Sequence, residues 1–441
     1  MKTVSGKKVI PITEAEGRII KVVYTTDPNC ENLSGYLYDS YMYRGELQGR
    51  IVDINSGYPR YITLAKGTQV IIERNLEDLS ESQKARILNI IPLTGVTIGT
   101  DPEIFVVDKK TKEIIPAFAF LPSKANKKAG PFWDGFQAEW TTPLDEGTGN
   151  GCLNYCADDV HQGLSMVLEK ALQYNKNAIL TWKNVLEIPP KIMQLAKPEH
   201  RQLGCAPSRN VYGTAPLCVA DPDTLPIRFA GCHIHVGSEH LKAFSNSRKA
   251  DVIRSIDRIL GVSSVLLLDR MEDPRRRRYY GRAGEYRVPR WGLEYRTMSS
   301  AILAHPVLFH LCFELARSAT MLACNLPLSI YYDEEDKRIA TTINDLDVDE
   351  AKKLFKKHVK IYDYILSKRF GVERGRMVKN IILKGAINHM DLNDMDEVWH
   401  ISEDDWHNDC QTTNCSISRS TTNFLKSGNA EYDDDDEWED D

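Results

Sequence analysis

Four short stretches constrain this chain more than any other feature: GTDPEIF (99–105), DGFQAEW (134–140), GCHIHVG (231–237) and GLEYR (292–296). Each sets two polar side chains two residues apart inside an apolar, strand-like run. Strand side chains alternate between faces, so Asp101/Glu103, Gln137/Glu139, His233/His235 and Glu294/Arg296 are each expected to point one way. Their neighbours Pro102, Ala138, Ile234 and Tyr295 are expected on the opposite, packed side. Four such pairs predict a sheet with one face lined by carboxylates, imidazoles and a guanidinium, a surface suited to metal and phosphate.

A chain of 441 residues that is 42% hydrophobic can bury a full core, and its length suggests two or three domains. No apolar run reaches the ~18–20 residues needed to span a bilayer. The start, MKTVSGKKVIPITEAEG, lacks the apolar stretch of a signal peptide, so a cytoplasmic setting is expected. The ten cysteines are scattered without paired CxxC knuckles, which argues for reduced, mostly buried thiols rather than a structural zinc site. The net charge of −6 owes its sign to the last thirteen residues, NAEYDDDDEWEDD, which hold nine acidic groups and no basic ones. Without them the remainder carries +3, and the block itself reads as a solvated, disordered tail.

Residues 1–95 read as a β-rich lobe, with strands expected at KKVIPI, RIIKVVYT, GRIVDI, RYITLA and TQVIIE between turn signals. The segment 76–91 has helical periodicity and leads to a boundary near 95. A second domain is expected over 96–400, and residues 401–441 form a C-terminal segment ending in the acidic tail. In the second domain a hairpin turns at DKKTKE, a long amphipathic helix covers 152–177, and similar patterns recur at 246–268, 305–324 and 348–370. The expected class is α+β, a mainly antiparallel sheet with helices on its back face.

Asp101, Glu103, Glu139 and Glu294 occupy positions whose neighbours indicate burial, where an isolated carboxylate costs several kcal/mol unless paired or bound to a cation. A salt bridge could satisfy any one of them. For the set, a hard cation with oxygen ligands and open positions for phosphate is the better account. The HxH of His233 and His235 admits zinc, yet no third His or Cys stands at a recognisable spacing, and one imidazole can join oxygen ligands at Mg2+ or Mn2+. The basic stretch 273–296 gathers Arg275 to Arg278, Arg282, Arg287, Arg290 and Arg296 with Tyr280, punctuated by glycines 281, 284 and 292. Guanidinium forks suit carboxylate and phosphate oxygens. Such a run fits polyphosphate or nucleic acid, polyphosphate being favoured because it leads into the strand of Glu294. A solvated charge run is the plain account of some of Arg275 to Arg278. Walker A, GxGxxG, protein-kinase and GxSxG signatures are absent from the sequence.

In their order, GTDPEIF, RFAGCHIHVG and GLEYR resemble the metal-binding strands of glutamine synthetase and γ-glutamylcysteine ligase. With DGFQAEW, the LGCAPSRNVY loop (203–212) and RRRYYGRAGEYR, they resemble more closely the phage-encoded carboxylate–amine ligases (type 2) of the glutamine synthetase-like superfamily, over roughly 97–310. The resemblance implies a glutamine synthetase-like catalytic domain using ATP and Mg2+ or Mn2+. It implies Glu103, Glu139, His233 and Glu294 as metal ligands with Asp101 as a further one, although Asp101 stands where glutamine synthetases have a longer Glu. Arg287 and Arg296, with Glu103, are implied at the reacting centre, and His235, Arg278, Tyr280 and Arg282 toward the nucleotide.

The expected reaction joins a carboxylate to an amine through an acyl phosphate, with small-molecule or peptide substrates and a carboxylate of the face taking the amine's proton. Two other readings compete with it. A guanidino-kinase-like transfer on a related sheet would stop at a phosphorylated amine. A non-catalytic nucleic-acid or virion-associated protein would use Arg275 to Arg278.

Overall fold

The computed structural model describes residues 3–4, 6–15, 18–26, 32–43, 46–54, 59–65, 67–75, 78–80, 83, 96–126, 130–143, 154–202, 208–213, 221–238, 241–242, 244–325, 333–370, 372–385 and 395–401. Most of the expected helix at 76–91, the boundary near 95, the start of the 203–212 loop and the acidic tail lie outside these residues.

Two antiparallel sheets dominate. The first joins β1 (Thr3–Val4), β2 (Lys7–Pro11), β3 (Arg18–Tyr24), β4 (Ser34–Tyr43), β5 (Glu46–Val52), β6 (Pro59–Leu64) and β7 (Gln69–Asn75) in the order β1-β2-β7-β3-β4-β5-β6. Ile10, Ile20, Val22, Leu37, Ile51, Leu64 and Val70 form its core. The five expected strands are present. β4, SGYLYDSYMY, is an addition to the expected strands, although its tyrosines favour a strand.

The second sheet is built on the twelve-residue β8 (Thr97–Asp108). Chain order then gives β9 (Ile114–Ile115), β10 (Phe132–Asp134), β11 (Gln137–Glu139), β12 (Ala178–Thr181), β13 (Val185–Glu187), β14 (Arg209–Asn210), β15 (Ile227–Phe229), β16 (Cys232–Gly237), β17 (Glu285–Arg287) and β18 (Gly292–Tyr295). The path runs β10-β11-β8-β16-β18-β17-β14, with β9 and β12 also paired to β8, while β13 and β15 form a separate ribbon. The DKKTKE hairpin is present, with Val106 opposite Ile115.

Behind this sheet lie α1 (Asn154–Tyr174), α4 (Asn246–Ile256), α5 (Val262–Leu267) and α7 (Pro306–Asn325), with the shorter α2 (Pro190–Leu195), α3 (Pro198–Arg201) and α6 (Pro274–Tyr279) between them in sequence. Ile98, Ile104, Ala138, Cys232, Ile234, Val236, Leu293 and Tyr295 share one core with the helices' apolar residues. One parity of each strand is therefore packed against helices, and the other is left for chemistry. Ser245 caps α4 by accepting from Arg248 N–H at 3.2 Å, and Asp273 caps α6 ahead of Pro274.

Two expected helices depart from regularity. The run 246–268 contains a π-helical turn at Asp257–Gly261 between α4 and α5, where the Tyr362 hydroxyl donates to Ile259 O at 2.8 Å. The run 348–370 is split at His358 into α9 (Val348–Lys357) and α10 (Val359–Phe370), after α8 (Asp333–Asp345). His358 ends α9 and turns its Nε2 to Glu335 Oε1 at 3.1 Å.

The reading that no run reaches membrane-spanning length needs correction. Pro306–Cys324 is long and apolar enough, with a mean hydropathy of 1.4, but 83% of it is buried within the protein. It is the central helix behind the sheet.

Candidate active site on the open sheet face

Register brings the four polar pairs together. Glu139 stands opposite Glu103, Asp101 opposite His233, His235 opposite Glu294, and Glu294 opposite Arg287. Because every pairing is antiparallel and in phase, residues of one parity on five strands form one continuous row.

One end of the row is a mixed nitrogen and oxygen cluster. His233 Nδ1 lies 2.9 Å from Asp101 Oδ1 and 3.7 Å from Glu294 Oε1, and His235 Nε2 lies 3.3 Å from the same Asp101 oxygen. The His233–Asp101 contact is short but not aligned as a hydrogen bond, and Asp101 Oδ1 and His233 Nδ1 are both buried without a hydrogen-bond partner among the described residues. Burial lowers the His233 pKa, with the Asp101 carboxylate opposing. Burial would raise that of Asp101, yet the two imidazoles beside it hold the carboxyl well below the usual range.

The other end is a trio of carboxylates. Glu103, Asp134 and Glu139 each offer an oxygen within 4.8 Å of the others, as do the ligand atoms of Asp101, His233 and Glu294. Burial pushes Glu103 up to about 8; the Asp134 carboxylate adds to the rise, and the Gly231 N–H donating to Glu103 Oε2 at 2.6 Å opposes it. Glu139 is raised well above its ordinary value by burial, then by Asp101, Asp134 and Glu103. Asp134 is raised by burial too, with Lys124 opposing. Lys124 Nζ, 3.6 Å from Glu139 Oε1, is two-thirds exposed.

Both clusters fit a divalent cation. Carboxylates crowded in a buried place repel one another unless protons or a cation neutralise them, and the unpartnered His233 Nδ1 between two carboxylates is placed where a cation could join them. The oxygen trio suits Mg2+ or Mn2+, and the set with His233 suits the same ions.

Arginines border the first cluster. Arg296 Nη1 donates to Glu294 Oε1 at 2.7 Å, and Arg287 Nη1, on a side chain 23% exposed, lies 3.6 Å from that oxygen. The Tyr280 hydroxyl touches His233 Nε2 and accepts from Arg296 Nη2 at 3.2 Å. His235 packs against the Trp291 ring with centroids 4.7 Å apart.

The rest of the arginine run is placed otherwise. Arg276 and Arg277 are fully buried, where Arg276 donates to Thr297 O at 2.9 Å and Met298 O at 2.7 Å, and Arg277 to Thr297 O at 2.6 Å. Glu272 lies between them, 3.3 and 3.4 Å away. A solvated run therefore describes Arg275 and Arg278, which are exposed, but not the middle pair: their guanidiniums tie the chain leaving β18. Arg282 is buried and donates to Arg277 O at 3.2 Å, away from the polar row. Arg278 makes no described contact with that row.

Two residues of the face were absent from the sequence expectations. Asp134 reaches it because Gly135 (φ 63°) and Phe136 make a two-residue hairpin that sets Asp134 opposite Gln137. The Asp-Gly dipeptide was the available signal. Trp291 had no local signature. Gln137 lies in the row with its Oε1 buried and unpartnered among the described residues.

Residues 225–340 match the family model described as phage phiEco32-like COOH.NH2 ligase, type 2. The resemblance read from the motifs is borne out over that segment, which holds β16, α6, β17 and β18 but not the acidic strands β8, β10 and β11. No match is found among curated proteins. Among solved structures, a bifunctional glutathione synthetase from Pasteurella multocida is similar at 10% identity, covering 80% of this chain and 54% of its own, with a TM-score of 0.41. GmaS without ligand is similar at 13% identity over 74% of this chain and 78% of its own, with a TM-score of 0.34. The chain thus spans about half the length of that glutathione synthetase, and likeness at these scores carries no functional weight.

Proposed function

We propose, from the carboxylate–amine ligase match over 225–340, that this chain is an ATP-dependent enzyme that joins a carboxylate to an amine through an acyl phosphate. The observation that carries the reading is the row itself: two cation-ready clusters, Asp101/His233/Glu294 and Glu103/Asp134/Glu139, share one sheet face with Arg287 and Arg296 at its end. Divalent cations held there would neutralise the ATP phosphates and draw the γ-phosphoryl group and the substrate carboxylate together.

The chain's own groups supply position and charge. A carboxylate oxygen attacks the γ-phosphorus and ADP leaves; the amine nitrogen then attacks the acyl carbon, phosphate leaves, and the nitrogen gives up a proton to a carboxylate of the face. Arg296 is held rigid by Glu294 and Tyr280, so its guanidinium needs little reorganisation as charge develops on the transferring phosphoryl oxygens. Arg287 is partly exposed and within reach of an arriving anion. His235 and Trp291 form an aromatic wall suited to the nucleotide or the substrate. Burial of Arg276 and Arg277 disfavours the nucleic-acid reading, because the two central charges of the run face backbone carbonyls.

The test is a screen of amino-acid and peptide pairs for ATP-dependent phosphate release, with mass spectrometry of the adduct and 18O-labelled carboxylate. The expected result is an amide product with one 18O transferred to inorganic phosphate. A stable phosphorylated amine with no 18O in phosphate would show the guanidino-kinase-like transfer instead.

A further inference from the structure

Tyr280 lies where the histidine cluster meets the arginines that border it. It follows α6, with its N–H on Arg276 O at 2.8 Å. Its ring is flanked by the guanidiniums of Arg276 and Arg296, 4.7 and 5.3 Å from the centroid, and stands edge-on to the His233 ring at 5.7 Å and 86°. Because Arg276 is itself tied to Thr297 O and Met298 O, the ring is locked to the segment after Arg296. Gly231 leaves the room: a Cβ there would meet His233 Nε2 at 2.9 Å and the Tyr280 oxygen at 3.0 Å.

The hydrogen bonding at that hydroxyl has a direction. Arg296 can only donate, so the Tyr280 oxygen accepts from it. A neutral imidazole carries one N–H. On Nδ1 that proton would be aimed at Asp101 Oδ1, 2.9 Å away, but the contact is not aligned as a hydrogen bond. On Nε2 it is donated to Tyr280, and the Nδ1 lone pair faces Asp101 and Glu294, where a cation would complete the set. Partners that fix the second nitrogen of a metal-binding histidine set its tautomer and strengthen the ligand.

We propose that Tyr280 is a positioning residue whose hydroxyl accepts from both His233 Nε2–H and Arg296, holding Nδ1 toward Asp101 and Glu294 and joining the cation end of the site to its arginine end. Both lone pairs of the hydroxyl are then engaged, and its proton is left for an acceptor on the bound substrate. This role rests on the proposed ligase function and differs from a direct nucleotide contact.

The experiment uses the full chain labelled with 15N-histidine, metal-free, comparing wild type with Tyr280→Phe, which keeps the ring beneath the guanidiniums and removes only the hydroxyl; His233→Gln identifies the resonances. The wild type is expected to show a protonated Nε2 and a bare Nδ1 at His233, and Tyr280→Phe a mixture of tautomers. Mn2+ affinity, read by electron paramagnetic resonance, is expected to fall about 10- to 100-fold in Tyr280→Phe. A wild-type His233 protonated on Nδ1 overturns the proposal, and this needs no variant to fold. Unchanged Mn2+ affinity in a folded Tyr280→Phe overturns it as well. A wild type that binds no Mn2+ instead overturns the ligase reading, while the tautomer spectrum still decides the role of Tyr280.

Discussion

Lys124 shows how single side chains share the burden of the carboxylate trio. Its ammonium stands 3.6 Å from Glu139 Oε1 and lowers the pKa values of both Asp134 and Glu139, so in the metal-free protein it is a partial stand-in for a cation. Because the lysine is largely exposed, solvent screens the interaction and the effect is small. Lys124→Met is expected to tighten Mn2+ binding roughly threefold, worth ~0.6 kcal/mol at the scale of an exposed ion pair, as measured by titration at low ionic strength. Weaker binding in the variant would mean that the lysine assists the ion rather than competing with it. At this scale the sequence was informative wherever two polar residues shared a parity within one strand, as with Asp101 and Glu103. Asp134 escaped because its partner lies across a turn, and Trp291 because an aromatic in a loop is as often packing as binding.

Among the elements, the π-helical turn at Asp257–Gly261 reaches the site from behind. Asp257 is fully buried and accepts from the Tyr295 hydroxyl at 2.6 Å, and Tyr295 lies between Glu294 and Arg296 on the opposite parity. Burial pushes the Asp257 pKa up to about 7, against the opposing influence of the Tyr295 and Tyr212 hydroxyls and Arg277. A carboxyl raised in the folded state contributes stability that is full below its unfolded pKa of about 3.9 and is lost as pH rises through about 7. The loss amounts to at most about 4 kcal/mol, from three pKa units at 1.36 kcal/mol each. Asp257→Asn can still accept from Tyr295 and cannot ionise. The wild-type Tm is therefore expected to fall relative to the variant between pH 4 and 8, and parallel Tm profiles would refute the assignment. Periodicity along the chain revealed the helix 246–268 but not this turn, because a single inserted residue leaves the apolar pattern nearly intact. His358 likewise divides 348–370 and contacts Glu335, which no periodicity encodes. The run Arg275 to Arg278 misled for a related reason: charge alone says surface, whereas Arg276 and Arg277 find carbonyls and Glu272 inside.

Across the molecule, the antiparallel sheet divides labour by parity, with an apolar side built into the helical core and a polar side gathering carboxylates, imidazoles and arginines from β8, β10, β11, β16, β17 and β18. That arrangement was legible because a period of two leaves a plain trace in sequence. Register and strand order were not, since they depend on pairings between segments as far apart as Asp101 and His233. If the polar side is a nucleotide site, it must hold ATP through divalent cations rather than through protein groups alone. Calorimetric titration of ATP into the full chain, with Mg2+ and then with excess EDTA, decides this, alongside Glu294→Gln and the exposed control Arg278→Ala. Binding is expected to require Mg2+, to be lost or weakened at least tenfold in Glu294→Gln, and to persist in Arg278→Ala. Equal ATP binding in EDTA, or wild-type affinity in Glu294→Gln, would rule out a cation-held nucleotide on this face.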